Sequence, residues 1–332
     1  MSIEIGGVRV EPGHFVAGTI KVAELSHRGE MSIPLLVVCG SSPGPVLWLN
    51  GAVHGDELNG PMAIRNLLPT LDPHQLSGSI IATPISNPPA FHARQKNTPQ
   101  DGLDMNMQFP GDPRGTLSQR MAYLLFELIK EHASYLIDFH TLSTAYHSQP
   151  YNVIKKLPGH EAVFMQAEKL AHSFGAYANC YVDFSGSLNE LPGNVNGFLD
   201  VQCQLHDIPS VMVEIGSGGQ LQPEMMAWGE RGIMAVLHQL GMWPTAPSPC
   251  PVSSPIRITG RRFLYADGAG ICTDFAPVGS IVKQGEVICR IVDMLDVVQE
   301  VRSEQDCYIL AHRRNPPVDT GDRVAFVGTA WE

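Results

Sequence analysis

The sequence has 332 residues, enough for one large domain or a large one with a small one, and its 44% apolar content supplies a sizeable core. Charged residues are only 17%, which argues against disorder. With 22 Lys and Arg against 33 Asp and Glu the net charge is −11, which speaks against a general binder of nucleic acid or anionic membranes. No apolar run approaches the ~18 residues of a membrane span. The N-terminus has neither a basic head nor an apolar stretch, so no secretory signal is expected. Seven scattered cysteines without a Cys-x-x-Cys pair suit reduced thiols in a cytoplasm.

In chain order, short buried strands are predicted at Ile33–Val38, Val46–Leu49 and Ser79–Ile81. Leu117, Met121, Leu124, Leu125, Leu128 and Ile129 then form one apolar stripe at helical spacing. A strand at Tyr135–Phe139 and a helix over Ala162–Phe174, stopped by Gly175, come next. A strand at Ser210–Glu214 and a helix over Pro223–Leu240, stopped by Gly241, complete the pattern. Strands alternating with helices predict an α/β domain with a largely parallel or mixed sheet over residues 1–243. Five prolines between 244 and 255 predict an extended linker, since proline neither continues a helix nor sits in a central strand. Residues 256–332 carry short β-like runs and Gly-rich turns, with Val282-x-x-Gly285-Glu286 echoed by Val318-x-x-Gly321-Asp322. A small β domain of two-fold character is expected there.

The most informative stretch is Asn50-Gly-Ala-Val-His54-Gly-Asp-Glu57-Leu-Asn-Gly60, which follows a strand and reads as the opening of a helix. An imidazole and a carboxylate three residues apart can face one Zn²⁺ ion. A second pair, His27-Arg-Gly-Glu30, reads as an exposed turn, and Asp72-Pro-His74 as a surface loop. Asp138-Phe-His140 ends an apolar strand and offers a third ligand with a carboxylate beside it. Glu214 closes another apolar strand ahead of a Gly-rich turn, where a carboxylate buried without purpose is costly; pairing with a basic residue is its structural alternative. His54, His140 and Glu214 thus fall at or just past the C-terminal ends of strands, the edge where open α/β sheets bind ligands. Zinc on His54, Glu57 and His140, one ion per chain, leaves a fourth position for water, with Glu214 as its base.

In that order and spacing, HGDELNG, DFHT and VEIGSGG resemble the succinylglutamate desuccinylase/aspartoacylase family of the zinc-carboxypeptidase fold. The resemblance extends to Asn87-Pro88-Pro-Ala-Phe, to Asp101-Gly-Leu-Asp104-Met-Asn106-Met-Gln-Phe109-Pro110-Gly111 and to the C-terminal region. It implies a mixed sheet flanked by helices, a barrel-sandwich-like β domain bordering the active site, and hydrolysis of an N-acyl amide. Zinc would sit on His54, Glu57 and His140, Glu214 would act as general base and acid, and Asp138 would stand behind the ligands.

Two departures stand out. The family's Asn-Arg pair, which grips a substrate carboxylate, is here Asn106-Met107, and a second family Arg is Lys96. Lysine supplies charge without the planar fork of arginine. Lys96 and Asn106 are the candidate substrate contacts; Arg94 and Arg114 are candidate substitutes whose alternative is solvated surface charge. No lysine follows Lys283, so a lipoyl- or biotinyl-carrier role for the β domain is disfavoured and a shield or gate is expected. The expected partner is a small N-acyl substrate in the cytoplasm, with no nucleic acid or membrane, and the sequence is compatible with a homo-oligomer. The alternatives are a metallocarboxypeptidase, which the missing Arg at 107 disfavours, and a catalytically silent zinc- or ligand-binding protein.

Overall fold

The computed structural model describes residues 2–185 and 195–332. Its centre is a mixed sheet of 13 strands. Ser42–Asn50 lies between Ser77–Thr83 and Tyr135–His140 and runs parallel to both, and Tyr135–His140 is in turn parallel to Ser210–Glu214. Antiparallel strands Glu30–Cys39 and His14–Glu24 extend one side. On the other side Tyr151–Lys156 and Ala178–Asp183 follow. All five strands read from the sequence are present, Ser210–Glu214 with the expected bounds and the other four slightly longer.

Alternation of side chains across the sheet explains why both faces are covered. Leu47, Leu49, Ile137, Phe139, Val211 and Val213 face a core shared with Ile64, Phe174 and Ile233. These last belong to helices Asn59–Leu67, Glu161–Phe174 and Pro223–Gln239. Trp48, Ile81 and Leu136 point the opposite way, against Met121, Leu125 and Ile129 of helix Leu117–His132 and Leu199 of Leu199–Leu205. The predicted stripe on Leu117–His132 is therefore the buried face, and a Thr116–Gln119 capping box starts that helix. None of the described helices is long and apolar enough to cross a membrane.

Beyond the proline-rich segment, Ile256–Tyr265 adds to the same sheet, parallel to Ala178–Asp183. Arg323–Trp331, Cys307–Arg313 and Ile281–Val282 continue it. A second sheet of Val297–Arg302, Val287–Val292, Gly270–Thr273 and Pro317–Val318 packs nearby over Cys272, Cys289, Ile291 and Val324. The internal echo is structural: Val282 and Val318 are both buried at the ends of two-residue strands. Each is followed by a turn whose glycine, Gly285 or Gly321, takes a positive φ of 84° or 90°.

Candidate metal centre

Asn50, His140 and Glu214 end three neighbouring parallel strands, and the register sets Glu214 opposite His140 and Asn50 opposite Asp138. His54 and Glu57 reach the same edge from the turn after Asn50. The pair does not open a helix, as its sequence suggests: it lies wholly in the turn, and the helix begins at Asn59. The cause is tertiary. A Cβ on Gly55 would overlap the backbone of Ala90 and Phe91, so this turn is pressed against the helix Pro88–Ala93. Asn87 holds it there by donating to the Val53 carbonyl at 3.0 Å while capping Pro88–Ala93. Asn59 is tied to Gln222 and to the Ile215 carbonyl, which fixes where the helix starts.

His54, Glu57 and His140 are buried, and one donor atom from each lies within 4.8 Å of the others. His54 Nδ1 is 3.0 Å from Glu57 Oε1, and His140 Nδ1 is 3.1 Å from Glu57 Oε2. The far nitrogens are held by other carboxylates: His54 Nε2 donates to Asp104 Oδ1 at 2.9 Å, and His140 Nε2 to Asp138 Oδ2 at 3.1 Å. Both rings therefore turn Nδ1 inward. Two imidazole nitrogens and a carboxylate, each ring braced from behind by an acid, fit a zinc-type donor set.

Behind His140 runs an ordered chain of buried polar groups. Trp48 Nε1 donates to Thr83 Oγ1 at 3.0 Å, and Thr83 Oγ1 donates to Asn50 Oδ1 at 3.0 Å. Asn50 Nδ2 in turn donates to Asp138 Oδ1 at 2.7 Å. Every donor in this series has an acceptor, so Asp138 is fixed without freedom to rotate away.

Electrostatics favour positive charge at the centre of this cluster. Burial disfavours a charged His54, yet Glu57 and Asp104 raise it to about 9. Burial likewise opposes a charged His140, but Asp138 and Glu57 raise it well above the ordinary imidazole value. Burial disfavours ionised Glu57, and the two imidazoles nevertheless hold it down to about 2. Groups that concentrate positive charge in this way suit a cation, which takes the place of those protons.

Glu214 differs. Burial pushes it up to about 7, only partly offset by the neighbouring imidazoles. Its Oε2 is buried and has no hydrogen-bond partner among the described residues. Glu214 lines a cavity of about 350 Å³ together with His54, Glu57 and His140. Its walls include Met107, Leu142, Phe198 and Met212, and the C-terminal region contributes Phe263 and Arg323. Beneath Phe198 lies a buried ion pair, Lys155 Nζ standing 2.6 Å from both oxygens of Asp200 and 4.6 Å from the Phe198 ring centre.

The structure brings His54, Glu57, His140, Glu214, Lys96 and Asn106 to one cavity, with Asp138 directly behind it. Lys96 Nζ is 2.8 Å from Asp104 Oδ2, and Asn106 Oδ1 accepts from the Leu199 amide at 3.2 Å. Arg94 is not brought there: it is exposed, at the left-handed end of Pro88–Ala93, and lines a separate depression with Asp56 and His92. Arg114 is exposed as well. Sequence reasoning missed the contact of Asp104 with His54, although the residue stands in a recognised motif, because the two lie 50 positions apart. It also missed Arg323, for which no local signal exists. His27-Arg-Gly-Glu30 is the expected exposed turn, with Arg28 at a positive φ.

Comparison with known proteins agrees with this architecture. The sequence model described as the succinylglutamate desuccinylase/aspartoacylase catalytic domain matches residues 43–240. The chain is 27% identical over 318 residues to the N-alpha-acetyl-L-2,4-diaminobutyric acid deacetylase of Halomonas elongata, covering 92% of this chain and 87% of that protein. A crystal structure of a succinylglutamate desuccinylase/aspartoacylase from Rhodobacter sphaeroides superposes with a TM-score of 0.82 at 28% identity, over 94% of this chain and 95% of that one. The fold is shared with the product-bound ectoine utilization protein EutE from Ruegeria pomeroyi, at a TM-score of 0.83, 24% identity and 97% coverage of both chains. The sheet edge, the His-Glu-His cluster and the match over most of the α/β region lead to one conclusion: the chain belongs to the succinylglutamate desuccinylase/aspartoacylase family of deacylases.

Proposed function

We propose that the protein is a zinc-dependent amidohydrolase that removes the acyl group from a small N-acyl amino acid. The carrying observation is the buried, unpartnered Oε2 of Glu214, in one cavity with three metal-type donors. A zinc ion held by His54, Glu57 and His140 supplies Lewis acidity toward a carbonyl oxygen and toward water. Glu214 accepts the proton of the attacking water at Oε2 and delivers it to the amide nitrogen as the C–N bond breaks, leaving a carboxylate and an amine. The elevated affinity of Glu214 for a proton suits a group that must both take one and return it near neutral pH. His54 and then Lys96 hold Asp104 ionised against its burial, and Asp104 keeps the His54 Nδ1 lone pair directed inward. Asn106 lines the cavity, with its oxygen committed to the backbone and its amide group left to orient substrate.

A C-terminal β domain over 256–332, joined by the 244–255 linker to the 1–243 hydrolase domain, borders this site in the same reading. Phe263 and Arg323 at the cavity support that arrangement. The substrate class is supported by the deacetylase of Halomonas elongata, whose name specifies an N-acetylated amino acid. The test is amine release by zinc-loaded protein from N-acetyl and N-succinyl amino acids, with N-alpha-acetyl-L-2,4-diaminobutyric acid among them. Turnover of at least one is expected, and silence across the panel with zinc bound refutes the reading.

Asp138 is a positioning residue in this scheme. Asp138→Asn keeps the shape but removes the charge that fixes Nε2–H on His140. A fall of about 10- to 100-fold in zinc affinity is expected by competition with a chelating dye. Unchanged zinc affinity would show that Asp138 does not set the ligand's orientation.

A further inference from the structure

Met107 packs as an apolar wall of the cavity, so a substrate acid group needs a cation from elsewhere in the lining. Among the described residues lining the cavity, two side chains carry permanent positive charge, Lys96 and Arg323. Lys96 is committed to Asp104 at 2.8 Å. Arg323 has no carboxylate within ion-pair distance among the described residues. The acid beside it in sequence, Asp322, is engaged by Arg313 at 3.2 Å.

The guanidinium of Arg323 also lies over an aromatic ring. Its central carbon lies 4.2 Å from the ring centre of Phe263, and Phe263 stacks on Phe326 at 4.4 Å. The start of its strand is pinned, because the Arg323 carbonyl accepts from Arg313 Nη1 at 3.1 Å and from the Tyr146 hydroxyl at 3.4 Å. A guanidinium resting on an aromatic face keeps its fork of N–H donors free for a planar acceptor. An aromatic platform, a fixed strand end and a cation without a partner acid among the described residues thus meet at the cavity wall supplied by the C-terminal region.

We infer that Arg323 binds the α-carboxylate of the substrate, so that the C-terminal β region selects N-acyl amino acids over acyl amides that lack an acid group. This rests on the N-acyl amidohydrolase reading above. Arg323 is a specificity-determining residue here and takes no part in proton transfer.

The test compares N-alpha-acetyl-L-2,4-diaminobutyric acid with its carboxamide as substrates of the zinc-loaded wild type, Arg323→Met and Arg323→Lys. Wild type should prefer the acid. In Arg323→Met the acid-over-carboxamide ratio of kcat/KM should collapse by about 10- to 100-fold, carried by KM for the acid. Arg323→Lys should restore part of that preference, since it keeps the charge and loses the fork. An equal loss on both substrates, or an unchanged KM for the acid, overturns the inference while leaving the hydrolase reading intact. Should wild type turn over neither of these two, the hydrolase reading is decided by the wider N-acyl panel above. Calorimetric binding of the acid to Glu214→Gln, with and without Arg323→Met, then decides the inference: lost affinity upholds it and equal affinity overturns it.

Discussion

Glu214→Gln is expected to bind zinc as wild type does while kcat falls by about 10²- to 10⁴-fold, the contribution of a positioned acid–base group. Glutamine fills the same space at the end of Ser210–Glu214 but cannot accept a proton. The thermal midpoint at neutral pH should not fall. The wild-type carboxylate oxygen is buried without a partner among the described residues, an arrangement that costs stability and that the fold retains only at a place of use. The substitution thus separates chemistry from folding: rate is lost, zinc and stability are kept. Near-normal turnover by this variant, measured as amine release on a substrate that wild type hydrolyses, would remove Glu214 from the mechanism.

Loss of a metal donor should be as severe. His54→Ala is expected to abolish zinc binding and turnover together, and zinc added back should rescue chelator-treated wild type but not the variant. His54 is the informative choice because of what its removal leaves behind. Asp104 keeps Lys96 at 2.8 Å and the Asn106 amide at 3.0 Å, so no carboxylate is stranded and the fold should survive. Removing His140 instead would leave the fully buried Asp138 with only Asn50, an uncompensated charge that costs about 3–5 kcal/mol. Differential scanning with and without zinc is the second readout. Saturating metal at a thousand times its dissociation constant stabilises wild type by about 4 kcal/mol and should not shift His54→Ala. A zinc-dependent midpoint that persists in the variant would move the ion elsewhere.

Much of this was legible in the chain. The strand cores at Val46–Leu49, Tyr135–Phe139 and Ser210–Glu214 are near-continuous apolar runs, as strands buried on both faces must be. The helix over Leu117–His132 announced its buried face through its spacing. His54, His140 and Glu214 were placed at one sheet edge because parallel strands all end there. The His54–Glu57 turn was less legible: its spacing suits a helix, and only the approach of Gly55 to Ala90 and Phe91 keeps it out of one.

Other elements gave little local sign of their role. Tyr151–Lys156 carries Asn152 and Lys155 into the interior of the sheet, where polar residues argue against a buried strand. Asn152 Nδ2 donates to Asn179 and Lys155 pairs with Asp200, partners distant in sequence. The joining of Ile256–Tyr265 to Ala178–Asp183 across a proline-rich segment has no counterpart in hydropathy.

Sequence by itself determined the α/β alternation, the donor residues and their common edge, since periodicity and strand direction are properties of neighbouring residues. Tertiary structure alone decided that Asp104 braces His54, that Lys96 is taken up by Asp104, and that Arg323 arrives at the cavity. Those outcomes depend on which side chains meet after long loops close, and ion pairing is settled by distance in space.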